Sequence, residues 1–227
     1  MKPKEILVFG ATGNIGRSLI RKFTKNNYKV VAVTRNIHQK GFQLKTQANP
    51  GYLELVELKS LDEAKIKDLF NSCSVCINLI GILYEKNKGQ FNKIHSVLPN
   101  ILSKIAKEKK IDQFIHVSAL GVDNASNSVY AKSKLDGENN VKKNFKNSLI
   151  LKPSIVYGID DNFTTNFMSL LSKLPIMPLY YNGETKFVPI HVSDLAEIIY
   201  QMISKEIKNE TIESVSYTHL RAHETVV

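Results

Sequence analysis

The sequence has little cysteine and no tryptophan: among its 227 residues the two cysteines are Cys73 and Cys76. One CxxC pair without a second pair or a nearby histidine does not complete a zinc site, so we expect no metal centre. Both cysteines lie in an apolar run, where free cysteine behaves as a small core residue. We therefore interpret them as reduced core residues of a protein that stays in a reducing compartment.

Long apolar runs are also absent. The longest extends from Val75 to Tyr84 and includes Asn78, whereas a helix that spans a bilayer needs about 20 mostly apolar residues. The N-terminus leads into a short strand pattern and lacks the apolar stretch and small-residue cleavage site of a secretory signal. We therefore expect a cytoplasmic protein with no transmembrane segment, and peripheral association with the inner membrane stays open.

Acidic residues are outnumbered, since 21 Asp and Glu stand against 31 Lys and Arg, for a net charge of +10. Such an excess is compatible with an acidic partner such as nucleic acid, anionic lipid or a phosphorylated ligand. The lysines are spread along the chain, however, which favours a solvated basic surface. Because neither an aromatic stacking motif nor a recognition helix is evident, we predict no nucleic-acid partner.

Short apolar runs alternate with amphipathic stretches along most of the chain. Strands are predicted at 5–10, 28–34, 52–58, 73–83, 113–118 and 148–152, and helices at 14–26, 60–71, 91–109 and 128–143. The form Ser-x-x-Glu at Ser60 to Glu63 is typical of a capping box at a helix start. This alternation predicts an α/β Rossmann fold: a doubly wound parallel sheet in the order 3-2-1-4-5-6 with helices on both faces.

A glycine-rich segment joins the first predicted strand to the first predicted helix and reads GATGNIG over 10–16. Gly10 permits the tight turn, Gly13 lets the backbone approach a pyrophosphate, and Gly16 lets the helix pack closely on the strand. The free N–H groups and dipole of the helix N-terminus favour an anion. The loop therefore predicts an NAD or NADP site, and its cofactor-binding residues are Gly10, Thr12, Gly13, Asn14, Ile15 and Gly16.

The end of the second predicted strand bears on which dinucleotide is bound. NAD sites usually carry Asp or Glu there, to bond the ribose 2′-hydroxyl. This strand ends Thr34-Arg35-Asn36 without an acid, and the planar fork of Arg35 suits a 2′-phosphate. NADP is therefore favoured over NAD, although Arg35 is equally compatible in type with an ordinary surface residue.

Tyr130 and Lys134 form a YxxxK motif, whose members share one face of a helix. A lysine ammonium near a phenol favours the phenolate, so we expect a lowered Tyr130 pKa and a role in proton transfer during hydride transfer. Ser118, at the end of the fifth predicted strand, is placed to polarise the reacting oxygen. The candidate catalytic residues are therefore Ser118, Tyr130 and Lys134.

In these motifs the chain resembles the short-chain dehydrogenase/reductase superfamily, in its extended or atypical branch. GATGNIG at 10–16, Ser118, YAKSK at 130–134 and LKPSIVYG at 151–158 occur in the order of that superfamily. The longer segments NLIGIL at 78–83, HVSALGVDNASNSVYAKSKLDGE at 116–138, LKPSIVYGIDDNF at 151–163 and LPIMPLYYNGETKFVPIHVSDLAE at 174–197 are similar to the nucleotide-binding accessory subunit of respiratory complex I and its bacterial relatives.

The resemblance implies an NADP(H)-binding protein with a scaffold or assembly role, and it implies complex I or quinone-pathway proteins as partners. It also implies that Leu79, Ile80 and Gly81 pass the cofactor and that Pro153 approaches the nicotinamide, in addition to Tyr130 and Lys134. The gap from Ser118 to Tyr130 is short for an active extended reductase, which favours the scaffold role. An active NADP-dependent oxidoreductase or sugar-nucleotide epimerase or dehydratase stays the alternative.

We divide the chain into an NAD(P)-binding Rossmann domain at 1–158 and a partial C-terminal lobe at 159–213 that returns to the core fold. The pattern after Pro153 is less regular, and family members usually continue with more of the substrate lobe, so we expect that lobe to be small and truncated. Residues 214–227 fit no element and are interpreted as a non-native tail.

Overall fold

A computed structural model describes residues 5–125, 127–159, 161–173 and 188–215. Seven parallel strands form one sheet in the order β3-β2-β1-β4-β5-β6-β9, and the short strands β7 and β8 pair separately. The predicted Rossmann sheet and its strand order are therefore confirmed, with one strand added next to β6. The strands are β1 (Glu5–Phe9), β2 (Lys29–Thr34), β3 (Leu53–Glu57), β4 (Val75–Asn78), β5 (Gln113–Val117), β6 (Ser148–Pro153), β7 (Val156–Tyr157), β8 (Ile190–His191) and β9 (Glu210–Ser214).

Helices cover both faces of this sheet, because the side chains of each strand alternate between the two sides. On one face α1, α2 and α7 bury a core around Leu19 and Ile199, and on the other α3, α4 and α5 bury a core around Phe70 and Leu102. The helices are α1 (Asn14–Lys25), α2 (Ile37–Lys45), α3 (Glu63–Leu69), α4 (Leu98–Glu108), α5 (Val129–Asn144), α6 (Asn162–Lys173) and α7 (Val192–Ser204), and a π-helical turn (Asn92–Val97) leads into α4.

Three local features differ from the prediction. Helix α2 was missed; its N-cap Asn36 accepts from the Gln39 N–H at 3.1 Å, but few of its residues are apolar. The cap of α3 is Asp62, not Ser60, since its carboxylate accepts from the N–H groups of Ala64 and Lys65. Strand β4 ends at Asn78, well before the predicted end at 83, because the side-chain amide oxygen of Asn78 accepts from the Ile80 N–H and turns the chain.

The C-terminal part of the described chain returns to the main sheet. Helix α7 packs against α1, and β9 pairs with β6 from Leu149↔Glu210 to Pro153↔Ser214. Part of the predicted lobe (174–187) and most of the predicted tail (216–227) lie outside the described residues, and the division into domains stays a prediction. Within the described ranges no helix is long and apolar enough to cross a membrane.

Candidate functional site

Most of the predicted site residues lie at or just beyond the carboxyl ends of the parallel strands, while Tyr130 and Lys134 lie on α5. The glycine loop follows β1, Arg35 follows β2, Leu79 follows β4 and Ser118 follows β5, while Pro153 ends β6. Strand β1 has β2 on one side and β4 on the other, so the winding of the sheet reverses beside it. In open α/β sheets ligands bind at this reversal, outside the carboxyl ends of the strands.

The glycine loop brings the backbone of three segments into close contact. A Cβ at Gly10, whose φ is +81°, would stand 3.1 Å from the Leu79 carbonyl carbon and 3.2 Å from the Ile80 nitrogen. A Cβ at Gly16 would stand 2.5 Å from the Ala11 carbonyl oxygen. Both positions therefore require glycine, one for the turn beside β4 and one for the packing of α1 on the end of β1.

Helix α1 begins with its N-terminus open at this edge. Its N-cap is Gly13, which has no side chain to cap the helix, and Thr12, Asn14 and Ile15 are half-buried around it. Uncapped N–H groups at a helix start carry the positive end of the helix dipole. The turn therefore has the donors and the local charge that a diphosphate requires.

A cavity of about 190 Å³ borders this helix start. It extends from α1 to the start of α7, and it contains several basic and hydroxyl side chains. Its lining residues are Asn14, Arg17, Ser18, Arg21, Gln47, Ile159, His191, Val192 and Ser193. The arginines in its lining, Arg17 and Arg21, add positive charge near the glycine loop.

Arg35 is exposed directly after β2. In the sheet, β2 lies on one side of β1, whereas β5, which precedes α5, lies on the other. Beside it, Glu57 at the end of β3 accepts from the Ile37 N–H at 3.1 Å and lies 3.3 Å from the Lys59 ammonium. The Ile37 hydrogen bond, supported by Lys59, lowers the pKa of Glu57. The Glu57 carboxylate therefore helps to cap α2, and within the described residues no ion pair holds the Arg35 guanidinium.

Helix α5 carries Tyr130 and Lys134 towards the end of β4. The Lys134 ammonium donates to the Val117 carbonyl at 3.3 Å and would lie 3.2 Å from a Cβ at Gly81. Burial lowers the pKa of Lys134 to about 8, although the Glu138 carboxylate acts in the opposite direction. Glycine at position 81 is therefore what lets this ammonium reach the loop after β4.

Tyr130 is half-buried in a cluster of three rings. Its ring lies 5.6 Å from that of Phe91 and 5.2 Å from that of His95, edge to face in both cases. Burial raises the pKa of Tyr130. The expected lowering by Lys134 is therefore wrong for this structure, in which burial favours the protonated phenol.

Ser118 and Pro153 are both buried at the ends of neighbouring strands. The Ser118 N–H donates to the Leu151 carbonyl, and the Leu120 N–H donates to the Pro153 carbonyl at 2.9 Å. Among the described residues the Ser118 hydroxyl has no hydrogen-bond partner. The strand ends are thus fixed, but no hydrogen bond links this hydroxyl to Tyr130.

A buried ion pair supports α5 from behind. The Lys152 ammonium lies 3.2 Å from the Glu138 carboxylate and 2.5 Å from the Asp123 carboxylate. Burial opposes the charge on Lys152, but these two carboxylates raise its pKa. Glu138 was not predicted as a functional residue; its i, i+4 spacing from Lys134 was the available signal.

A second missed residue is His95 in the π-helical turn. The ring is fully buried, and burial, together with the neighbouring Lys134 ammonium, lowers its pKa to about 4. A histidine in a predicted amphipathic helix gives no signal of this role, because its partners come from segments far apart in sequence. Within the described ranges no group of three or more His, Cys, Asp or Glu lies together as a metal site would require.

With this geometry established, the sequence matches the family model described as the NmrA-like family over residues 2–224. The chain belongs to the NmrA-like family. It is 31% identical over 193 residues to the mitochondrial NADH dehydrogenase [ubiquinone] 1 alpha subcomplex subunit 9 of Arabidopsis thaliana, covering 85% of this chain and 48% of that protein. It is 26% identical over 193 residues to a ceramide reductase of Caulobacter vibrioides, covering 84% of this chain and 58% of that protein.

Solved structures share the fold of this NmrA-like protein. The UDP-glucuronic acid 4-epimerase of Bacillus cereus in complex with NAD superposes with a TM-score of 0.78 at 22% identity, covering 94% of this chain and 78% of that one. The Bordetella bronchiseptica enzyme WbmH in complex with NAD+ superposes with a TM-score of 0.74 at 18% identity, covering 94% and 76%. These structures confirm the Rossmann fold, and the relative that is 31% identical confirms the resemblance to the complex I accessory subunit. The chain spans about half the length of the complex I subunits that it matches.

Proposed function

We propose that this NmrA-like protein binds NADP(H) at the carboxyl edge of its sheet. The observation that carries the proposal is the open N-terminus of α1, where Gly10, Gly13 and Gly16 keep side chains away from the place of a diphosphate. Leu79 and Ile80 border the same turn, Gly81 follows them in the chain, and Lys134 reaches Gly81 from α5. The dinucleotide would then extend from Arg35, at its adenosine end, to Tyr130 and Pro153 at its nicotinamide end.

Arg35 supports NADP over NAD, and replacing it tests that choice. Arg35→Ala should weaken NADPH binding by about 30-fold, because a charge-assisted hydrogen bond contributes roughly 1.5–3 kcal/mol. NADH has no 2′-phosphate, so its dissociation constant should change less than about twofold on the same scale. Both constants are measured by calorimetric titration. Equal losses for the two dinucleotides would show that Arg35 does not read the 2′-phosphate.

For the bound protein we propose an accessory or assembly role in respiratory or quinone metabolism. Several relatives are named as subunits of NADH dehydrogenase, and the gap from Ser118 to Tyr130 is short for an active extended reductase. In the native host, the tagged full-length protein should co-migrate with NADH:quinone oxidoreductase activity on a native gel after mild detergent extraction. Migration only as a free protein would exclude this role and would leave the cofactor proposal unaffected.

The second candidate is an active NADPH-dependent reductase, favoured by the placement of Tyr130 and Lys134 four residues apart on α5. Burial raises the pKa of Tyr130 and so favours its proton-donating form. Tyr130→Phe should then lower turnover by about 100-fold, since a positioned general acid contributes at least that much, while the NADPH dissociation constant stays unchanged. Steady-state oxidation of NADPH measures the first quantity and fluorescence titration the second. Equal turnover in wild type and variant would remove Tyr130 from the mechanism.

For that candidate, an apolar ketone or quinone is the substrate to test first, because relatives are named as a ceramide reductase and as subunits of NADH dehydrogenase [ubiquinone]. A sugar nucleotide, the alternative for an epimerase, is the comparison.

A further inference from the structure

His95 has no assigned function, yet it connects two parts of the proposed cofactor site. Its ring lies between the loop after β4 and the first turns of α5, and none of its surface is exposed. It belongs to the π-helical turn Asn92–Val97. Such turns are rare and occur frequently at functional sites, because they redirect a side chain within a helix.

The hydrogen bonds of His95 form a chain in which the donor and the acceptor of each bond are defined. The Ile82 N–H donates to Nε2 at 3.1 Å, so Nε2 must be the unprotonated nitrogen. Nδ1 therefore carries the proton, and it donates to the Ser133 hydroxyl at 2.9 Å. That hydroxyl in turn donates to the Tyr130 carbonyl at 2.7 Å. One neutral imidazole thus links the backbone after Gly81 to the turn of α5 that carries Tyr130.

Ring packing strengthens the same link. The His95 ring stacks on Phe91 with centroids 5.4 Å apart, and it meets the Tyr130 ring edge to face at 5.2 Å. Its Nε2 would lie 3.8 Å from a Cβ at Gly81, next to the Lys134 ammonium. A charged imidazole would repel that ammonium and would lose the bond from Ile82, so only the neutral ring fits this position.

We propose that His95 is a positioning residue that fixes the Tyr130–Lys134 pair against the Gly81–Ile82 backbone, where the nicotinamide half of the dinucleotide lies. The inference rests on the proposed cofactor site. It adds to that site a residue that sets the geometry only where the nicotinamide half of the dinucleotide binds. The adenosine half, bound by the glycine loop and Arg35, contacts neither His95 nor Ser133 in this proposal. Replacing His95 should therefore change the binding of the nicotinamide half and leave the binding of the adenosine half nearly unchanged.

The test compares NADPH with adenosine 2′,5′-bisphosphate, which contains the adenosine half without the nicotinamide. His95→Phe keeps a ring of similar size and removes both hydrogen bonds. It should weaken NADPH about 10-fold, because it removes two neutral hydrogen bonds beside the nicotinamide half, and it should leave the affinity for adenosine 2′,5′-bisphosphate within about twofold. Ser133→Ala, which breaks only the second link, should weaken NADPH in the same direction by a smaller factor.

Ser103→Ala is the matched control. Ser103 is also fully buried, and its hydroxyl accepts from Asn144 of α5 at 3.0 Å, but this link joins the middle of α4 to the C-terminal end of α5. This control should lower the melting temperature without changing the ratio of the two affinities. Equal losses for both ligands in His95→Phe, or no loss in either His95 or Ser133 variant, would overturn the inference. A wild type that binds neither ligand would instead overturn the proposed function.

Discussion

Gly13→Asp should weaken dinucleotide binding about 1,000-fold and leave α1 at least as stable as before. Gly13 has the extended N-cap conformation, with φ −74° and ψ 172°, and nothing caps the helix there. An N-cap aspartate accepts from the N–H groups two or three residues on, here Ile15 and Gly16, and stabilises a helix by about 1 kcal/mol. Those amides are the ones proposed to hold the diphosphate. Losing two charge-assisted bonds of roughly 2 kcal/mol each weakens binding about 1,000-fold.

The measurements are a calorimetric titration with NADPH and a thermal melt of the same sample. Gly13→Ala is the control, because it adds a Cβ 3.3 Å from the Gly10 carbonyl oxygen without adding a carboxylate. We expect the alanine variant to lose only about 10-fold in affinity, the equivalent of one weakened hydrogen bond. If the aspartate variant binds NADPH as tightly as wild type, the diphosphate does not lie on α1 and the proposed cofactor site is wrong.

Local spacing was sufficient to predict the strand order and the glycine loop. Runs such as Ile6 to Phe9 are apolar throughout because both faces of the sheet are covered. This pattern can be recognised from the sequence alone. The loop was predictable because its three glycines act on neighbouring backbone. The turn of the chain at Asn78 was not, because it depends on a side-chain bond to the Ile80 N–H.

The parts that could not be predicted depend on contacts between distant segments. Helix α2 is weakly amphipathic, and the Glu57 carboxylate that helps to cap it comes from β3, 20 residues later. The spacing of Tyr130 and Lys134 predicted a shared helix face, but the Tyr130 pKa is set by burial against Phe91 and His95 from another helix. Motif spacing thus predicted the candidate site residues without giving their electrostatics.

Gly137→Ala should destabilise the fold, although alanine is the better helix former. Gly137 lies inside α5, where replacing glycine by alanine usually gains about 1 kcal/mol. A Cβ at this position would overlap the His95 carbonyl oxygen and stand 3.1 Å from the His95 carbonyl carbon. Because that contact is backbone and not a flexible side chain, α5 or the π-helical turn must move. We expect a net loss of about 3 kcal/mol in the free energy of unfolding.

Chemical denaturation of wild type and variant gives this loss, and Asn139→Ala is the matched control on the exposed side of the same helix. The control gains helix propensity without meeting a neighbour, so its free energy of unfolding should stay equal or rise by a few tenths of a kcal/mol. Movement of the turn would also displace His95, so the Gly137 variant should lose NADPH affinity while the control keeps it. A more stable Gly137→Ala protein would mean that α5 does not approach the π-helical turn as closely as described, and the link from Ile82 through His95 to Tyr130 would lose its geometric basis.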